Sequence, residues 1–81
     1  MSQHDKLLER IRRKPSDFTW DELKRLLAGF GYEEQTRRGS RRRFLSATGV
    51  VIALHEPHPG NELKSYQVRE ILRHLKQEGL L

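Results

Sequence analysis

The apolar residues of this chain repeat with a helical period, switch to alternation, and then switch back. That order restricts the fold more than any other feature. Trp20, Leu23, Leu27 and Phe30 recur at helical spacing. Between residues 31 and 56 the period falls to two, and Tyr32 to Thr36, Arg41 to Leu45 and Val50 to His55 read as strands. Val68, Ile71, Leu72 and Leu75 then form one helical stripe. The links between strands, Gly39-Ser40 and Ser46-Ala47-Thr48-Gly49, are turn chemistry and too short for a crossover. Neighbouring strands are therefore antiparallel.

The helix ends carry their own signals. Thr19-Trp20-Asp21-Glu22 is a capping box, and Phe18 and Leu23 stand at the positions of a hydrophobic staple. With Gly29 and Gly31 as the stop, the first strong helix is expected over 20–29. The last is expected over 65–78, with Ser65 as cap and Gly79 just past the end. A weaker helix over 3–13 would present Leu7, Leu8 and Ile11, closed by Pro15. The reading is an α+β fold of order (α)αβββα. In it the two strong helices cover one face of a three-stranded antiparallel sheet and leave the other open. His55 to Lys64 is a loop holding Pro57, Pro59 and Gly60.

Composition then removes whole classes. At 81 residues the chain suits one small domain. It has no cysteine, which excludes a disulfide scaffold and a thiolate nucleophile. The longest apolar run, Val50 to Leu54, is far short of a membrane span. The charged stretch Met1 to Lys14 lacks a signal peptide's apolar centre. The expectation is a soluble cytoplasmic protein with no membrane partner. A metal site is not expected, because His55, Glu56 and His58 straddle a strand end that turns alternate side chains apart.

Charge is the sharper signal. The net charge is +5, and the segment Arg37 to Arg43 alone carries five arginines (Arg37, Arg38, Arg41, Arg42, Arg43) and no acid. Elsewhere acids and bases balance, so the positive potential is focused, as in proteins that attract phosphate. Alternation assigns the faces. With Val50, Ile52, Leu54 and Phe44 towards the helices, Arg42 points inward and must snorkel. Arg41, Arg43 and His55 gather on the open face. Phe18, Trp20, Tyr32 and Phe44 are read as core, His4 as part of a fraying terminus, and His74 as favoured by the helix dipole.

At these residues the sequence resembles the HicA family of small toxins. The likeness runs through Leu26-Leu27, Gly29-Phe30, Arg38-Gly39-Ser40 before a strand ending in Phe44, and Leu54-His55-Glu56-Pro57-His58-Pro59. It continues through Glu62-Leu63-Lys64 and Val68 to Ile71-Leu72 and Gly79-Leu80-Leu81. It covers about residues 20–81. The corresponding division is an N-terminal helical extension over 1–15 and a HicA-like domain over 16–81. The resemblance implies a fold like the double-stranded-RNA-binding domain and a metal-independent endoribonuclease that cleaves mRNA. It also implies a HicB-like antitoxin as partner and no small-molecule cofactor. The family's usual catalytic histidine directly follows the Gly-Ser pair; here that position is Arg41.

Metal-free RNA cleavage needs a base for the 2′-hydroxyl proton, an acid for the leaving oxygen and cations for the transition state. Histidine, with an ordinary pKa of about 6.5, suits either proton role. Arginine holds phosphate oxygens but cannot act as a base. The proton work therefore falls to His55 or His58, with Arg41 as an electrostatic group. Arg37, Arg38, Arg41, Arg42, Arg43 and Lys64 are the expected RNA contacts. A non-catalytic RNA-binding module of the same fold, and an interaction domain for an acidic protein, remain alternatives.

Overall fold

The computed structural model describes residues 3–36 and 41–81. Its elements run α1 (Gln3–Arg12), α2 (Trp20–Gly29), β1 (Glu33–Thr36), β2 (Arg41–Leu45), β3 (Val51–His55) and α3 (Ser65–Gln77). The sheet is antiparallel in the order β1-β2-β3. This is the α+β order expected, with strand and helix ends moved by a residue or so.

One core joins the layers. Phe44 and Ile52 from the inner sheet face meet Leu23, Leu26 and Leu27 of α2 and Val68, Ile71 and Leu75 of α3. Phe18 and Leu23, the staple pair, are both fully buried. Trp20 packs at a tilt on Phe44, ring centroids 5.7 Å apart. The four aromatic residues read as core are all buried.

The capping box is present in full. Thr19 Oγ1 accepts the Glu22 N–H at 3.2 Å, and Glu22 Oε1 accepts the Thr19 N–H at 3.0 Å. Three expected readings are reassigned. Gly29 lies inside α2, and the stop is Gly31 at φ +89, beyond Phe30. The Gly31 N–H donates to Ala28 O and the Tyr32 N–H to Leu27 O, a Schellman arrangement that Gly79 and Leu80 repeat after α3. Gly29 has a different role: a Cβ there would lie 2.0 Å from the His4 ring. His4 is not frayed; its ring packs edge-on against Phe30 at 4.4 Å. At the other end Lys64, not Ser65, is the N-cap of α3. Tyr32 Oη lies 3.2 Å from His74 Nε2, and burial, with Glu78 nearby, raises the Tyr32 pKa.

α1 packs against α2 and α3, with Ile11 fully buried in the common core. Arg10 clasps it to α2. Its Nε donates to Glu22 Oε2 at 2.6 Å, and its Nη2 donates to Glu22 Oε1 at 3.1 Å and to Asp17 O at 2.9 Å. The guanidinium also lies 5.7 Å from the Phe18 ring centroid. The Arg10 hydrogen bond is the main cause holding the Glu22 carboxyl below its ordinary value, and burial opposes it. A depressed carboxylate stabilises the fold fully above the ordinary pKa of about 4.3 and stops doing so as pH falls through the lowered folded value. Arg10→Ala is therefore expected to flatten the loss of stability on the acid side. Urea melts across the acid range test this, and an unchanged slope would mean Glu22 titrates independently of Arg10.

Candidate nucleic-acid interface

The strand register builds the open face row by row. Arg41 stands directly opposite His55, and Arg43 opposite Ala53 and Gln35. The third row is Glu33, Leu45 and Val51. The face thus runs from a row of Leu45 and Val51 with the acidic Glu33 at its edge to a cationic end, where Arg41 and His55 are both exposed. Opposed residues hold their Cβ atoms about 5 Å apart, so both side chains reach one phosphate-sized ligand. Among the described residues, neither Arg41 nor Arg43 has an ion-pair partner. Arg37 and Arg38, and Gly39-Ser40 where a turn is expected, lie outside the described residues.

Arg42 behaves differently. It is on the inner face, where its Nη2 lies 3.3 Å from Glu56 Oε1 and its Nε lies 3.8 Å from Glu34 Oε2. Its side chain is 20% exposed. Two carboxylates meet it there, so the expected snorkelling to solvent is replaced by ion pairing. This geometry sets Arg42 apart from the open-face arginines. It ties β2 to β1 and to the residue that follows His55.

The loop after β3 is held at both ends. Gln67 is buried on α3; its Nε2 donates to His55 O at 3.0 Å, and its Oε1 accepts the Lys64 N–H at 2.9 Å. One carboxamide thus joins the backbone bearing His55 to the backbone bearing Lys64. Further along, the Leu63 N–H donates to Phe18 O at 2.8 Å and the Trp20 N–H to Asn61 O at 2.7 Å. His58 is exposed in the span between these anchors. Gln67 is absent from the residues picked out by motif. Its one sequence signal is a polar side chain at the edge of the apolar stripe, three positions after Lys64. No group of three or more His, Asp or Glu among the described residues is placed to hold a metal ion. No helix among them is long and apolar enough to cross a membrane.

A family model described as the HicA toxin of bacterial toxin–antitoxin systems matches residues 20–80. The chain belongs to the HicA toxin family. The matched segment of this HicA-family chain begins at the first residue of α2 and contains the sheet, the His55 loop and α3. It leaves α1 outside. Comparisons with curated proteins and with solved structures gave no match.

Proposed function

We propose that this HicA-family chain is an mRNA-cleaving endoribonuclease that works without a metal and is silenced by a HicB-like antitoxin covering the open sheet face. The observation that carries this reading is the direct cross-strand pairing of Arg41 with His55 on an uncovered surface, Arg43 one row away. His55 takes the 2′-hydroxyl proton as the oxygen attacks phosphorus. The P–O5′ bond breaks, leaving a 2′,3′-cyclic phosphate and a 5′-hydroxyl whose proton comes from an acid, assigned to His58. Arg41 and Arg43 hold the non-bridging oxygens through a step in which negative charge gathers on them. Lys64 extends the cationic track. On this reading the N-terminal residues 1–15 are an extension to the catalytic domain over 16–81.

The test is cleavage of a defined RNA in EDTA, with a matched substrate carrying a 2′-deoxy sugar at the cut site. Retained cleavage of the first and none of the second is expected. Loss of activity in EDTA, or equal cutting of both substrates, would refute the mechanism. A second reading is favoured by one specific observation, that the residue after Gly39-Ser40 is an arginine and not a proton acceptor. It makes the same face an RNA grip that does not cut. Both readings predict salt-sensitive binding. Replacing Arg41 and Arg43 together with alanine should lower the salt slope by about 1.4, roughly 0.7 per phosphate contact on single strands. Fluorescence titrations at several salt concentrations measure it, and an unchanged slope would remove these arginines from the interface.

A further inference from the structure

A second cationic surface lies between α1 and α3. The end of α1 and the outer edge of α3 enclose a groove of about 580 Å³. Arg12 and Lys14 line one wall, and Arg69, Arg73 and Lys76 line the other. Leu72 and Leu81 contribute apolar surface to it. No strand residue and no side-chain carboxylate lines the groove among the described residues. All five cations are exposed, and none has an ion-pair partner among the described residues. A face built only for solubility would mix signs, because like charges at i, i+4 such as Arg69 and Arg73 weaken a helix.

Lys14 supplies a second, independent observation at this surface. Its φ is +52, just past the end of α1. Glycine or asparagine usually fills such a position, since a left-handed backbone strains other residues. A strained backbone that carries a lysine into a cationic wall points to a use for that lysine.

We propose that this groove binds an acidic, amphipathic segment of a protein partner. Arg69, Arg73 and Lys76 form a row about 10 Å long at helical rise, which matches carboxylates at i, i+4 and i+7 of a docked helix. Leu72 and Leu81 offer a floor for its apolar side chains. A nucleic acid is the poorer occupant, because among the described residues lining the groove there are leucines and no aromatic side chain on which bases could stack. The proposal is independent of RNA cleavage, since the groove shares no residue with the open sheet face.

The probe is a short labelled synthetic peptide with glutamates at i, i+4 and i+7 and leucines on the adjoining face. A scrambled peptide of the same composition and a single-stranded RNA oligonucleotide serve as comparators, all titrated against the full chain. The patterned peptide is expected to bind about tenfold more tightly than the scrambled one, the gain from one well-buried leucine. Lys14→Gly should weaken that binding up to about fivefold while keeping or raising the melting temperature and leaving RNA cleavage unchanged. Arg73→Glu should abolish it. Equal binding of both peptides would overturn the proposal. So would peptide binding unaffected by both substitutions, or RNA binding lost in Lys14→Gly and Arg73→Glu.

Discussion

His55→Ala is expected to reduce RNA cleavage about 10²–10⁴-fold, the range for losing a positioned proton-transfer group, with little change in RNA affinity. The reason is the division of labour proposed for the open face. Arg41 and Arg43 supply charge but cannot accept a proton, so no neighbour on their strand replaces the imidazole. His55 is also exposed, so its truncation leaves no core cavity and should leave the unfolding free energy within about 0.5 kcal/mol of wild type. Single-turnover cleavage and equilibrium RNA binding, measured on the same preparations, separate the two effects. Cleavage that survives in His55→Ala but fails in His58→Ala would move the base to the loop. Cleavage unaffected in both would refute the assignment. Gln67→Leu is the companion variant, since it frees His55 O and the Lys64 N–H of their shared partner without altering a proposed reacting group.

Ile11→Ala is expected to destabilise the whole domain by about 2–5 kcal/mol, the cost of removing a buried aliphatic side chain. Ile11 is fully buried and sits in the same core as Leu27, Phe44 and Leu75. A domain of this size has a total stability of roughly 4–12 kcal/mol, so the variant should melt well below wild type in one cooperative transition. Differential scanning calorimetry with far-ultraviolet circular dichroism checks this. A two-step melt, with early loss of α1 and an unchanged main transition, would make α1 an independent appendage. The result matters because the family match begins at residue 20, beyond α1.

Local chemistry made much of the fold legible. The capping box at Thr19 and Glu22 needs only residues three apart, and the structure contains it whole. Alternation placed Arg41, Arg43 and His55 on one sheet face and Arg42 on the other, because a strand's side-chain period is two. The register that sets Arg41 against His55 was less accessible. It depends on how many residues the Ser46–Gly49 turn absorbs, and Ser46 Oγ accepting the Val50 N–H closes that turn.

Contacts between distant segments were invisible along the chain. Alternation turns Arg42 inward, but its partners Glu34 and Glu56 come from two other segments and carry no local signal. Gln67 reads as an ordinary polar residue until the chain returns and sets His55 O against it. His4 reads as a loose end until Gly29, lacking a side chain, makes room for its ring. Element order, the Thr19–Glu22 cap and the sheet face of each strand residue were legible along the chain, since these follow from periods and hydrogen bonds within a few residues. Packing between segments settles which cations are neutralised, what steadies the His55 strand end, and that Arg12 and Lys14 share a groove with Arg69, Arg73 and Lys76. Those outcomes depend on distances between segments far apart in the chain, which no local pattern encodes.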